Sequence, residues 1–180
     1  LSIDAIEIDR ASAGEAKQNA ADSPLPGLVT IHNTPIPEFA GSKGGYDLIV
    51  SNPPYFSGSL LSPDELRNTA RHTPQLPHMA LISSAARLLA PNGLFAVVIP
   101  YDDGDKLASV ANVNGLAVVR HTEVHPTPHS GPKRSLLEFT RKGSLRSHRL
   151  RENNKIIIET APNDFTGEYK DLTRDFYLRF

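Results

Sequence analysis

Apolar and polar positions alternate along this chain in two distinct rhythms. Short apolar runs bounded by turn residues read as strands: Ile3, Ala5, Ile6 and Ile8 among acids, then residues 28–32, Tyr46–Ser51, 94–99, 116–124 and Arg134–Arg141. Between them lie stretches with helical spacing or helix-favouring composition: 11–21, rich in Ala, Glu, Lys and Gln; 76–89, with Met79, Leu81, Ile82, Ala85, Ala86, Leu88 and Leu89; and 105–113. Ser23-Pro24, Pro26-Gly27, Pro91-Asn92-Gly93 and Asn114-Gly115 punctuate these elements. Residues 155–159 form a candidate strand and 168–178 a short amphipathic helix.

Alternation of strands with helices predicts an α/β fold with a mainly parallel sheet. Tyr46–Ser51 and 94–99 are almost wholly apolar, as expected of strands buried on both faces. The strands 116–124 and 134–141 have only a Pro/His/Gly-rich loop between them. They are expected to form a C-terminal antiparallel hairpin, with one terminal strand running against the rest.

Composition narrows the classes of function. Nineteen Lys and Arg oppose 20 Asp and Glu, for a net charge of −1, so no global basic field points to nucleic acid. The charges are uneven, however. Residues 141–155 hold six basic residues and one acid, Glu152. This stretch reads either as a solvated basic loop or as a phosphate-contacting patch. The absence of cysteine excludes disulfides, thiolate metal sites and cysteine nucleophiles. No apolar run approaches the roughly 20 residues of a membrane-spanning helix, and no secretory signal is visible, so a cytoplasmic location is expected. His121, His125 and His129 recur every four residues, but Pro126, Pro128 and Pro132 forbid a helix there. No metal site is expected.

In open α/β sheets, ligands bind at the carboxyl ends of the strands. Asn52-Pro53-Pro54-Tyr55 follows the Tyr46–Ser51 strand directly. A specified four-residue string arises by chance in about one chain in a thousand of this length. Its chemistry suits methyl transfer to a planar, conjugated nitrogen. The Asn52 side-chain oxygen and the Pro53 carbonyl can accept its N–H groups, and the prolines fix the loop. Tyr55 offers a flat face to a base. A second strand end carries Glu7, suited to accepting two ribose hydroxyls, with Asp4 and Asp9 as competing acids. Arg71, His72 and His78 follow the motif loop and could reach a substrate.

Through Asn52-Pro53-Pro54-Tyr55 the sequence resembles Class I, Rossmann-like S-adenosylmethionine-dependent methyltransferases of the N6-adenine and N5-glutamine type. Within that group it is similar to the bacterial tRNA1(Val) adenine N6-methyltransferases. The likeness covers most of the chain. It includes Ile6 to Asp9 with Asn19, Ser51 to Phe56, residues 70–72 and 76–78, Pro91 to Leu94, Lys133 to Phe139, and the ending from Tyr169 to Phe180. The resemblance implies methylation, with S-adenosylmethionine, of the exocyclic N6 of an adenine beside a tRNA anticodon. It implies Glu7, Ile8, Ile36 and Asn52 as cofactor-binding positions. It implies Asn52 to Tyr55 as the catalytic set, and Tyr55, Phe56, Arg71 and His72 as substrate-binding positions. Lys133, Arg134, Arg141, Lys142, Arg146 and Arg149 are added, from charge alone, as contacts to an anticodon stem-loop.

Two departures from the family pattern stand out. Pro35 occupies the place of an acid near the cofactor adenine, where the Ile36 N–H could serve instead. The glycine-rich turn after the first strand is missing, and residue 1 falls within what would be the second strand. The sequence therefore reads as a single partial methyltransferase domain over 1–180, lacking the first strand and helix. It carries a basic loop at 141–155 and a C-terminal helix at 168–180. Such a fragment of a longer protein is expected to bind cofactor poorly and to be inactive by itself. A protein glutamine N5-methyltransferase, an rRNA or DNA base methyltransferase, and a non-catalytic tRNA-binding remnant are the alternative readings.

Overall fold

The computed structural model describes residues 2–24, 26–53, 78–148 and 151–177 of the 180. The chain divides into two compact units, residues 1–43 and 44–180.

The first unit is a β-α-β element. Strand β1 (Ile3–Ile6) and strand β2 (Val29–His32) pair in parallel, with Ile3 opposite Val29 and Ile6 opposite His32. Helix α1 (Arg10–Asp22) connects them. Asp9 starts this helix: its carboxylate accepts the Ser12 N–H at 2.8 Å, satisfying one of the donors a helix N-terminus leaves open. That hydrogen bond holds the Asp9 carboxyl below its usual range. A 3-10 turn at Ile36–Glu38 follows β2.

The second unit is built on a five-stranded sheet. Its strands are β3 (Tyr46–Ser51), β4 (Leu89–Pro100), β5 (Leu116–His125), β6 (Arg134–Arg141) and β7 (Glu152–Ile157), in the order β3-β4-β6-β5-β7. The β3–β4 and β5–β7 pairs are parallel, and β6 runs antiparallel to both its neighbours. Helix α2 (His78–Leu88) precedes β4, and helix α3 (Gly104–Val113) lies between β4 and β5. A small hairpin of β8 (Glu159–Ala161) and β9 (Asp164–Phe165) leads into helix α4 (Gly167–Thr173).

One face of this sheet buries the core. Phe95, Val97 and Ile99 of β4 alternate inward beside Leu137 and Phe139 of β6. Leu81, Ile82 and Ala85 of α2 and Leu107 and Ala111 of α3 close over them. The Phe95 and Phe139 rings stack at 5.8 Å, both fully buried. Arg120 ties β5 to both neighbours through Glu138 at 3.0 Å and Glu152 at 2.9 Å.

Three expectations need correction. The antiparallel strand of the hairpin is not terminal: β6 inserts between β4 and β5, and β7 takes the outer place beyond β5. The Tyr46–Ser51 strand is not buried on both faces, since Leu48 and Val50 are 58% and 71% exposed. Among the described strands it pairs only with β4, which makes it an edge of this sheet. The turn at Pro91-Asn92-Gly93 lies inside β4 as an irregularity in its pairing. Tyr46 is opposite Leu89 while Leu48 is opposite Leu94, so the turn loops out as a bulge. Among the described residues, β7 begins at Glu152, inside the 141–155 stretch, and the helix near the C-terminus runs over Gly167–Thr173.

Candidate active site

Topology fixes which residues share an end of the larger sheet. The carboxyl ends of β3, β4, β5 and β7 point one way, and the start of β6 meets them there. Arg134 is opposite Pro100 of β4 and Val124 of β5. Asn52 and Pro53 follow β3 at this end, Asn52 exposed and Pro53 buried. Pro54, Tyr55, Phe56, Arg71 and His72 lie outside the described residues.

In the first unit, the acids near the end of β1 have separate tasks. Asp4 binds His32 Nε2 at 2.6 Å, and the His32 ring leans on Phe39 with centroids 4.8 Å apart. Asp9 caps α1. Glu7 is left facing the strand end. Its Oε1 accepts the Asp9 N–H at 2.8 Å, and Oε2 has no partner among the described residues. Asn33 braces the turn by donating to the Glu7 and Ile8 carbonyls at 2.9 and 3.0 Å. Glu7 thus keeps a carboxylate oxygen able to accept from a ligand hydroxyl, and such an acceptor suits the ribose of a nucleoside cofactor. Ile8 is exposed beside it, and Ile36 begins the 3-10 turn after β2.

The basic residues do not form one surface. Lys133 and Arg134 sit at the carboxyl end. Arg141 and Lys142 sit at the other end, where Arg141 is opposite Leu116, the first residue of β5. The eight residues of β6 separate the two groups by about 23 Å. The cations at that far end are engaged by the protein's own backbone. Arg141 donates through Nε and Nη2 to the Leu89 carbonyl at 3.0 and 2.7 Å. Lys142 Nζ donates to the Asn112 carbonyl at 2.8 Å, and Arg146 Nε to that of Asn92 at 3.1 Å. With Thr140 Oγ1 on the Gly93 carbonyl at 2.9 Å, Arg141 and Arg146 fasten the bulge at the start of β4, while Lys142 holds the end of α3. Lys133 and Arg134 therefore do not share an end of the sheet with Arg141 and Lys142. Antiparallel β6 carries its two ends to opposite ends of the sheet. Arg149 lies outside the described residues.

Sequence reasoning missed a polar cluster at the carboxyl end. Tyr101 directly follows β4, and its ring stacks on His121 at 6.5 Å and 19°. The Tyr101 hydroxyl donates to Glu123 Oε1 at 3.2 Å, and Glu123 Oε2 meets His125 Nε2 at 3.2 Å. Arg151 Nη2 donates to His121 Nδ1 at 2.9 Å, so His121 Nε2 carries the proton and donates to Ser135 Oγ at 3.0 Å. Burial and the Arg151 charge lower the His121 pKa, and the bond to His125 lowers that of Glu123. The negative charge of Glu123 raises that of Tyr101, which stays a neutral donor. The available signal was the period-two placement of His121, Glu123 and His125 on one strand face. Testing those histidines for helical spacing passed over it. Among the described residues, no three His, Asp or Glu side chains gather as a metal site, and no helix is long and apolar enough to cross a membrane.

Comparison with known proteins places this geometry. The chain is 38% identical over 180 residues to a tRNA1(Val) (adenine(37)-N6)-methyltransferase of Bacteroides fragilis (strain YCH46), covering 99% of this chain and 74% of that protein. It belongs to the tRNA1(Val) (adenine(37)-N6)-methyltransferase family. A member from Flavobacterium psychrophilum is 36% identical, with 99% and 75% covered, and one from Serratia proteamaculans is also 36% identical, with 99% and 67% covered. No family model matches the chain. Among solved structures, a predicted O-methyltransferase of Agrobacterium tumefaciens superimposes with a TM-score of 0.68 at 16% identity, over 95% of this chain and 76% of that one. The CcbJ methyltransferase of Streptomyces caelestis gives 0.55 at 13% identity, over 78% and 75%. The fold of this family member is the Rossmann-like Class I methyltransferase fold, and its members are enzymes.

Proposed function

We propose that this protein transfers the methyl group of S-adenosylmethionine to the exocyclic N6 of an adenine beside a tRNA anticodon. The observation that carries the reading is Asn52-Pro53 at the carboxyl end of a strand in a methyltransferase sheet, in a chain whose relatives are named for this activity. When bound, S-adenosylmethionine supplies an electrophilic methyl group on a sulfonium. Glu7 holds the cofactor ribose through the carboxylate oxygen that the turn leaves open. The Asn52 side-chain oxygen and the Pro53 carbonyl accept the two N–H groups of the adenine amine. Those bonds draw the nitrogen out of conjugation and aim its lone pair at the methyl group. Proline at position 53 offers no competing N–H donor and restricts the loop, so the acceptors are set before the substrate arrives. The adenine leaves the anticodon-loop stack to reach them and rests on Tyr55. Lys133 and Arg134 contact nearby phosphates.

The test is methyl transfer to tRNA lacking the modification, followed by nucleoside analysis. N6-methyladenosine is the expected product, and Asn52→Ala is expected to reduce turnover about 10²–10³-fold. Methylation of a release-factor glutamine with none on tRNA would replace this reading with the glutamine N5 reaction.

A further inference from the structure

The ordered, outward-facing ring of Tyr101 is not explained by the core or by the Asn52 site. Three contacts hold the residue. Its backbone N–H donates to the Lys133 carbonyl at 3.2 Å, its hydroxyl donates to Glu123, and the ring stacks, offset, against His121. Tyr101 is nonetheless 36% exposed, outside the cluster of buried side chains that forms the core. Immobilising an exposed side chain costs conformational entropy and buries little in return. The arrangement is recovered when a second flat group lands on the open face, because the ring then needs no further ordering.

Position and charge say what that group is. Tyr101 is at the ligand-binding end of the sheet, directly after β4, the strand next to β3. Ser51 is opposite Val97, so Asn52 and Tyr101 are separated by one strand spacing and three residues along the sheet, on the order of 10 Å. Lys133 and Arg134 lie at the same end of the sheet, and Arg151 reaches His121. Glu123, Asp102 and Asp105 oppose them, and Asp103 is paired with Lys106. Positive and negative groups nearly cancel, so net charge alone does not make this surface a binding site. Stacking does not depend on a net charge, and aromatic rings beside scattered cations are how proteins hold unpaired bases.

We propose that Tyr101, backed by His121, is the stacking platform for an unpaired base neighbouring the target adenine in the RNA substrate. The inference rests on the tRNA-methylation reading and adds a second base-recognition point to it. Flipping the adenine into the Asn52 site breaks the loop stack on both of its sides. Tyr101 supplies a replacement stacking surface for a flanking nucleotide.

The test uses a fluorescein-labelled, unmodified anticodon stem-loop RNA and the full-length protein, read by anisotropy. Tyr101→Phe keeps the ring and loses only the Glu123 bond, so its affinity should stay within about twofold. Tyr101→Leu should weaken RNA binding roughly five- to hundredfold, the range for losing one base–aromatic stack. Its affinity for S-adenosylmethionine by calorimetry, its melting temperature and the salt dependence of RNA binding should be unchanged. Irradiating RNA that carries 5-iodouracil beside the adenine should crosslink Tyr101, located by mass spectrometry. Wild-type affinity in Tyr101→Leu, or a loss shared equally by Tyr101→Phe, overturns the platform while leaving tRNA methylation standing. A parallel loss of cofactor affinity and melting temperature also overturns it, because Tyr101 would then only support the fold. If the wild-type protein binds no stem-loop RNA, both readings fall together.

Discussion

Arg141 separates two accounts of the basic stretch, and replacing it with Gln tests them. In the structure its guanidinium places two donors on one acceptor, the Leu89 carbonyl, at 3.0 and 2.7 Å. Leu89 is 2% exposed, so little water can reach that carbonyl if the guanidinium is removed. Hydrogen bonds from a charged group contribute about 1.5–3 kcal/mol, and a buried acceptor left unpaired costs about 1–3 kcal/mol. The two figures describe the same loss from either side and are not added. Arg141 is itself partly exposed, which places the expected cost near 2 kcal/mol. For a chain of this size that lowers the melting temperature by about 4–8 °C. The assays are urea unfolding and the salt dependence of RNA binding, measured on the same variant. The expected outcome is a loss of stability with the salt slope unchanged. Unaltered stability, together with a slope shallower by about one unit, would refute the reasoning and return Arg141 to the phosphate contacts.

Four further outcomes follow from the packing and the electrostatics. Phe139→Ala removes a fully buried ring stacked on Phe95 and should cost about 3–5 kcal/mol in urea unfolding. Gly45 has φ +82°, and an added Cβ would lie 2.8 Å from the Ala90 nitrogen, so Gly45→Ala should cost at least about 2 kcal/mol. Gly115→Ala, with φ +79° but open space around it, should cost about 1 kcal/mol, which separates backbone strain from the clash. The folded His121 pKa is lowered, so below the ordinary imidazole value of 6.5 the unfolded chain binds more protons at this position. Glu123, also lowered, adds stability that is present above the ordinary carboxyl value of 4.5 and lost as pH falls through its folded pKa. Melting temperature should therefore fall as pH drops below 6.5, and His121→Gln should flatten the upper part of that fall.

Local signals in the sequence were strong where one element dictates its own structure. Tyr46–Ser51 and Arg134–Arg141 coincide with β3 and β6 to the residue, because turn residues flank continuous strand formers. Asn52-Pro53 was legible for the same reason: two prolines must end a strand, and strand ends are where ligands bind. Order within the sheet was not legible. Nothing local to Arg134–Arg141 distinguishes a strand at the edge from one inserted between β4 and β5. That placement is decided by the fit of Leu137 and Phe139 against Phe95 and Val97. The same blindness affected charge. Lys133 and Arg141 are eight positions apart along a strand that spans the sheet, and the reversed direction of β6 is what brings Lys133 rather than Arg141 to the carboxyl end. The division of labour among Asp4, Glu7 and Asp9 likewise needed β2, since His32 is what engages Asp4.

The central position of β6 also sets an order of events during translation. The β4 edge that β6 covers is complete at Pro100, and β6 does not begin until Arg134, 34 residues later. At synthesis rates of about 5–20 residues per second, the nascent chain carries that open edge, with Phe95, Val97 and Ile99, for roughly 2–7 s. Until β6 emerges, β3–β4 and β5 have no strand to join them. A nascent chain stalled before β6 emerges therefore presents an exposed strand edge to chaperones, and one from which β6 has emerged presents a sheet able to close.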